Sequence, residues 1–372
     1  MTIKPLISFF TATALSLACA THASAQLRES LRQARNLFQK DTMTICVLGD
    51  MMMHTEQIDN AGRRDGEHNF DTYFKYIGGR IRSADLAIAN MEFTLAGKPY
   101  TGYPSFSAPD SFARHLADCG FDVFLTANNH ILDKGCQAAE RTLKQYRHLG
   151  VRYCGTALDE EDMRRTTPLI IRAKGITVAL INFTYGTNLG ADKHWPKVNY
   201  MGNRTLIRTA LEKADSADLT IVMPHWGNEY ELQQSEEQKE MAQWLAENGA
   251  DIIIGSHPHV AQPFEIISGK NVPVAYSLGN AVSNMSAPNT QVGLMTTITI
   301  VRHTDGDIEV MPLEFTYLWC SRPGGFCDSY TIIPIQDFIG SRERWIGRWE
   351  YDKMMTTYNR VKKIIKIEDI NE

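Results

Sequence analysis

Short apolar runs bounded by turn residues alternate along the chain with stretches whose apolar positions recur at helical spacing. This alternation predicts an α/β protein, with strands joined by helices over a shared, mostly parallel sheet. The strand-like runs are Met43 to Gly49, Leu86 to Ala89, Val123 to Ala127, Val178 to Phe183, Leu219 to Met223, Ile252 to Gly255 and Pro273 to Ser277. Helical spacing appears near 70–82, 109–118, 134–148, 204–214 and 235–248. Ser107-Ala-Pro109 reads as a cap before a first-turn proline, and Ser235-Glu-Glu-Gln238 as a capping box. From about Val292 the pattern changes. Leu294 to Arg302 and Ile308 to Tyr317 read as antiparallel neighbours turning at Asp305-Gly306-Asp307, and Ser341 to Lys366 reads as a C-terminal helix.

The first residues follow another rule. Lys4 precedes the apolar stretch Pro5 to Ala18, which is too short to span a bilayer, and Ala23-Ser24-Ala25 supplies the small residues a signal peptidase needs. Residues 1–25 therefore read as a signal peptide, with the rest exported to the periplasm or another extracytoplasmic space. The alternative is a lipid anchor on Cys19, for which Ser16-Leu17-Ala18 is a poor lead-in. A helical lead-in at 26–42, one domain at 43–320 and a partly helical extension at 321–372 complete the division. No repeat or linker splits it further.

Composition narrows the classes. With 372 residues, 43% hydrophobic and 22% charged, the chain is neither disordered nor collagen-like. A net charge of −5 without a basic block leaves no broad cationic face for DNA or RNA, so nucleic acid is not an expected partner. Seven cysteines fall to six once the leader is removed, and an oxidising compartment would let pairs close. Cys320 and Cys327, framing Ser-Arg-Pro-Gly-Gly-Phe, are the expected disulfide. Cys46 reads as a small core residue, while pairing among Cys119, Cys136 and Cys154 stays open.

The unusual polar residues all follow strand-like runs: Asp50; Asn90 and Glu92; Asn128, Asn129 and His130; His225; His257 and His259. In a mostly parallel sheet every carboxyl end lies on one edge, so five strands would deliver these groups into one crevice. Taken singly, a Gly-Asp pair after a strand is often only a turn, and Asn90-x-Glu92 is equally weak. Two imidazoles in His257-Pro-His259 at the end of an apolar run have few packing reasons to be there. Together the groups form a mixed nitrogen and oxygen set suited to one or two divalent ions, with Mn, Fe and Zn not separated by ligand type. Two ions bridged by a carboxylate would supply an activated nucleophile and a clamp on a phosphoryl oxygen. Asn90, Asn128 and His54 are additional ligand candidates, with Glu56 beside His54. His115 and His148 read as solvated helix faces, and Tyr185 and His194 fall in the loop Thr184 to Asn203. Ser256 and Ser277 lack the G-x-S-x-G elbow of a serine hydrolase.

Gly49-Asp50, Asn90-x-Glu92, Ala127-Asn-Asn-His130, His225-Trp-Gly-Asn-Glu-Tyr230, Gly255-Ser-His-Pro-His-Val260 with Gln262-Pro263, and Tyr276-Ser-Leu-Gly-Asn280 together resemble the CapA family of poly-gamma-glutamate capsule synthesis. That family is similar to the calcineurin-like metallophosphoesterases. The resemblance implies a four-layered α/β/β/α sandwich around a dinuclear centre. It places Asp50, Asn129, His225, His257 and His259 as metal ligands and His130 as the group assisting departure of the leaving group. Met52 stands where those enzymes carry a second histidine, Ser256 adds a residue between Gly255 and His257, and Glu92 substitutes for the missing bridging Asp. Asp50, His259 and the bridge would hold one ion; Asn129, His225, His257 and Glu92 would hold the other. The implied function is an exported metal-dependent hydrolase of a small phosphoester or a related ester or amide, connected with capsule or envelope machinery. The rival is a non-enzymatic envelope factor that holds an anionic polymer such as poly-gamma-glutamate. No Gly-x-x-x-x-Gly-Lys-Ser/Thr loop is present, so ATP-driven ligation would belong to a partner.

Overall fold

In the strand β1 (Asp41–Met51), Met43, Ile45 and Val47 enter one hydrophobic cluster while Cys46 and Leu48 enter another. Successive side chains point to opposite faces, so a strand covered on both sides needs an uninterrupted apolar run. The same division recurs in β2 (Leu86–Met91), with Leu86 and Ile88 on one side and Ala87 and Ala89 on the other. The computed structural model describes residues 41–190 and 194–367. The signal peptide and nearly all of the lead-in lie outside the described residues; Asp41 and Thr42, placed in the lead-in by sequence, begin β1.

Two sheets form instead of one shared sheet. The first runs in the order β17 (Thr331–Pro334), β16 (Glu314–Ser321), β14 (Val292–Arg302), β1, β2, β3 (Val123–Leu125), β4 (Arg152–Cys154). Beside this path, β13 (Asn280–Val282) pairs with β1 and β15 (Ile308–Val310) pairs with β14. The second runs β11 (Phe264–Ile267), β12 (Val272–Ala275), β10 (Ile252–Ile254), β9 (Leu219–His225), β7 (Ile176–Thr184), β6 (Leu169–Ala173). A short ribbon of β5 (Thr156–Ala157) and β8 (Lys197–Val198) stands apart. Strands β1 to β4 are parallel, with β13 parallel to β1, and β7, β9, β10 and β12 are parallel as well, while β6, β11 and β14 to β17 pair antiparallel.

The inner faces of both sheets share one hydrophobic cluster, in which Ile45, Ile88 and Val123 join Val178, Ile221 and Ile252. The outer face of the first sheet packs on α2 (Gly78–Ser83), α3 (Asp110–Asp118) and α4 (Gly135–His148) through Ile81, Phe112, Leu116, Leu143 and Tyr146. The outer face of the second packs on α6 (Arg204–Ala214) and α7 (Glu236–Glu247) through Ile207, Leu211, Met241 and Leu245. The layers are α/β/β/α. Two shorter helices, α1 (Thr55–Ala61) and α5 (Glu160–Thr166), lie in connections. No helix of the described residues is long and apolar enough to cross a membrane.

Several local expectations change for physical reasons. The helix expected near 70–82 is reduced to α2, because the preceding stretch closes i→i+3 turns, with Tyr73 N to Phe70 O at 2.9 Å and Ile77 N to Phe74 O at 3.2 Å. Pro109 itself caps α3, while Ser107 Oγ donates to Gly97 O. The capping box at Ser235 and Gln238 is present. The expected strand Ile308 to Tyr317 breaks into β15 and β16 around Pro312, which has no N–H for a ladder. His115 is half-buried, its ring centroid 6.1 Å from Phe70 and 5.9 Å from Phe74, so it is not a solvated face.

The Cys320–Cys327 disulfide does not form, nor does any other among the described residues. Cys320 points from β16 into the outer cluster, whereas Cys327 packs against the central one, with its Sγ 3.0 Å from Thr331 Oγ1. The sulfurs face different layers.

Residues beyond 320 are bonded into this framework. β17 extends the first sheet, and α8 (Arg348–Ile365) contributes Tyr351, Met354, Tyr358, Val361 and Ile365 to the central cluster. Buried Glu350 accepts from Ser321 Oγ at 2.6 Å, Arg322 N at 3.0 Å and Gln291 Nε2 at 3.3 Å. Glu350→Ala strands these buried donors, and a loss of about 2–3 kcal/mol in urea denaturation is expected; a loss below about 0.5 kcal/mol would mean the helix is held by apolar contacts alone.

Candidate metal centre

The ends of β1, β2 and β3 on one sheet meet the ends of β9 and β10 on the other. Asp50 is aimed there by an irregularity: the register of β1 shifts between Leu48 and Asp50 against β2, and between Asp50 and Met51 against β13. Gly49 permits it, since a Cβ at that position would lie 1.9 Å from Gly279 O, and Asp50 N donates to the same oxygen at 2.9 Å. Met52 is buried in the outer cluster. After β10, His257 and His259 adopt positive φ angles of 99° and 59°. Non-glycine residues avoid that region, and strained backbone of this kind gathers at functional sites.

The side chains converge. Glu92 Oε1 lies 3.6 Å from His225 Nε2 and 3.7 Å from His259 Nε2, and Asp50 Oδ2 lies 3.4 Å from His259 Nδ1. Asn129 Oδ1 is 2.8 Å from His225 Nε2. Two buried triads, Glu92 with His225 and His257, and Asp50 with Glu92 and His259, each bring their ligand atoms within 4.8 Å of one another. Glu92 belongs to both. A third grouping adds exposed Glu229 to His257 and His259.

Both Glu92 oxygens, His257 Nδ1 and His259 Nε2 are buried without a hydrogen-bond partner. Burial, and then the charge of Asp50, pushes the Glu92 carboxyl well above its ordinary range. Burial, and then the neighbouring histidines, pushes His225 and His257 well below theirs, so these imidazoles are neutral and keep lone pairs available. A carboxylate shared by two clusters of unpartnered donors is costly alone and suits one or two divalent cations of the Mn, Fe or Zn type. The residues present fit such ions.

Other sequence candidates play supporting parts. Asn90 Nδ2 donates to Asp50 Oδ1 at 2.7 Å and lies 3.3 Å from His225 Nδ1, so its amide orients ligands. Asn128 holds the loop, its Nδ2 donating to Met91 O and its Oδ1 accepting from His130 N. His54 lies outside both triads. It caps α1, accepts from Asn284 N at Nδ1 over 3.2 Å and meets Phe106 edge-on. His130 Nδ1 is 2.7 Å from Asp133 Oδ2, which leaves Nε2 as its uncommitted nitrogen.

Sequence reasoning missed Asp133, although it sits one helical spacing past His130. It also missed Asn188, whose Nδ2 is 3.2 Å from His130 Nδ1, and the roles of two positioning residues. Asn280 Oδ1 lies 3.0 Å from His259 Nδ1, and Ser256 Oγ lies 3.1 Å from His225 Nδ1. Tyr185, from the loop after β7, stacks obliquely at 4.5 Å on His257.

Two facing sheets with helices outside, and histidine–carboxylate pairs at their strand ends, define a metallophosphoesterase-type sandwich. Residues 44–285 match the family described as bacterial capsule synthesis protein PGA_cap, and the chain belongs to that family. It is 27% identical over 288 residues to the PGA biosynthesis protein CapA of Bacillus subtilis, covering 74% of this chain and 73% of that protein. Identity is likewise 27% over 290 residues to the capsule biosynthesis protein CapA of Bacillus anthracis, covering 74% and 68%. Among solved structures, a putative 5'-nucleotidase from Staphylococcus aureus in complex with alpha-ketoglutarate aligns with a TM-score of 0.49 at 15% identity, over 74% of this chain and 54% of that one.

Asn280→Ala removes the partner that orients His259 and should weaken metal affinity about 10- to 100-fold in a competition titration; an unchanged affinity would exclude His259 as a ligand. His54 gives a separate pH signature. Burial lowers its pKa from 6.5 to about 4. The folded state thus favours the neutral ring, so its stabilisation is complete above pH 6.5 and is lost as pH falls through about 4, a loss of about 3 kcal/mol. Denaturation midpoints followed from pH 7 to 4 should fall less steeply in His54→Gln than in the parent chain.

Proposed function

We propose that this protein is an exported, metal-dependent hydrolase of a phosphoester or a related ester or amide bond in capsule or envelope polymer metabolism. The observation that carries the reading is the Glu92 carboxylate, buried and unpartnered between the neutral imidazoles of His225 and His257 on one side and Asp50 with His259 on the other. Asp50, Glu92 and His259 would hold one divalent ion, and Asn129, Glu92, His225 and His257 a second. When bound, such ions supply charge for a developing oxyanion and lower the pKa of water.

The chain's own groups do the rest. Asp133 holds the His130 ring through its Nδ1, and Asn188 Nδ2 donates to the other oxygen of the same carboxylate at 3.5 Å, so Nε2 is the nitrogen available to protonate a leaving oxygen or nitrogen. Phe106, edge-on at 4.7 Å, restricts the rotation of that ring. Tyr185 covers His257 and limits water around it. The relatives are named for capsule and PGA biosynthesis, which supports a second reading in which the same cleft holds an anionic polymer without cleaving it.

Turnover of a generic phosphodiester is expected to vanish after dialysis against chelator and to return with Mn. Undiminished hydrolysis by metal-free protein would defeat the mechanism, and no hydrolysis by fully loaded protein would favour the holding role. Asp133→Asn should lower kcat about 10- to 1000-fold while metal content stays at the parent value, because the residue touches the ring and not the ions.

A further inference from the structure

The segment after β9 carries a carboxylate that the two buried triads do not use. Glu229 is exposed, yet its carboxylate and the ligand nitrogens of His257 and His259 all lie within 4.8 Å of one another. Each of those histidines belongs to a different buried triad, and Glu92 reaches both from the buried side. His257 and His259 are 3% and 0% exposed, and His257 Nδ1 and His259 Nε2 have no hydrogen-bond partner. Two carboxylates, one buried and one open to solvent, therefore face the same pair of unpartnered imidazoles.

The backbone builds this placement. Gly227 has a φ of 90°, and a Cβ there would lie 2.6 Å from the side-chain amide of Gln238. Tyr230 takes a φ of 68°, a region that residues with a Cβ avoid, and its N–H donates to Pro258 O at 2.8 Å. Pro258 stands between the two histidines, so this bond fixes the segment bearing Glu229 against them. Buried Gln262 adds two more bonds, its Nε2 donating to Glu231 O at 2.8 Å and Gln233 O at 3.2 Å. The ring centroid of Tyr230 lies 6.2 Å from that of His259, and its hydroxyl is hydrogen-bonded with the Glu229 carboxylate.

We infer that Glu229 is an exchangeable ligand of the metal centre, which closes it from the open side in the resting protein and yields that position to an anionic oxygen of the substrate. Asp50 and Glu92 bring two negative charges against the four of a pair of divalent ions, so a third carboxylate reduces the excess. Exposure is what makes the ligand exchangeable. Glu92 is enclosed on all sides and cannot leave, whereas an exposed side chain changes rotamer within nanoseconds. The role rests on the metal centre proposed above and not on which bond is cleaved there.

The test compares the full chain with Glu229→Gln and with Glu231→Gln, which removes the same charge from the same exposed segment. Mn affinity is followed by competition titration, and binding of inorganic phosphate to the Mn-loaded protein by calorimetry. Glu229→Gln should weaken Mn about 10-fold and tighten phosphate about 3- to 10-fold, because it removes a ligand and, with it, the competitor for the same position. Glu231→Gln should change either value by less than about twofold. Unchanged Mn affinity in Glu229→Gln, phosphate binding that is unchanged or weaker, or an equal change in the control overturns the inference. If Glu229→Gln fails to fold, Glu229→Asp, one methylene shorter, should show the same pair of opposite shifts at smaller size. Mn affinity that falls in His257→Ala and not in Glu229→Gln removes Glu229 and leaves the centre standing; a parent chain that binds no Mn removes both. Turnover enters neither measurement, so failure of the hydrolytic reading is scored separately.

Discussion

The site depends on one electrostatic constraint: a carboxylate, Glu92, completely buried between imidazoles with nothing to accept from. An unpaired carboxylate inside protein is too costly to persist for packing reasons, so its neighbours have to supply positive charge or permit a proton. Of those neighbours, His225 and His257 are neutral and give lone pairs and no charge. Around this deficit the ends of five strands, three from one sheet and two from the other, are brought together.

Holding that arrangement requires a rigid support. Positive φ at His257 and His259 is an unfavourable conformation, costing on the order of 1–3 kcal/mol per residue. Ile254 and Ala261, on either side of the two histidines in sequence, belong to the central cluster shared by the two sheets. The buried network then sets finer angles: Asn90 on Asp50, Asn280 on His259, Ser256 on His225 and Asp133 on His130. Ligand and orienting residue come from distant parts of the chain in most of these pairs.

The C-terminal segment adds a different element. By seating Glu350 under Ser321 and Arg322, α8 joins the central cluster and at the same time lines a surface hollow with Lys353 and Arg360. One helix therefore serves both stability and surface charge. In a chain with a net charge of −5, such a local row of cations is invisible to overall composition.

What the sequence determined by itself was local. Apolar runs at β1, β2, β3, β7, β9 and β10 announced strands because both of their faces are covered, and polar residues immediately after those runs stood out against them. The four layers and the ligand roles came from resemblance of motifs, not from periodicity, which suggested one sheet. Only the tertiary structure decided which strands fall in which sheet, that His54 caps a helix and lies outside both triads, and that Cys320 and Cys327 face different layers. The physical reason is that hydrophobic period reports which side of an element is covered, whereas partners, distances and burial of a polar group depend on residues tens to hundreds of positions away.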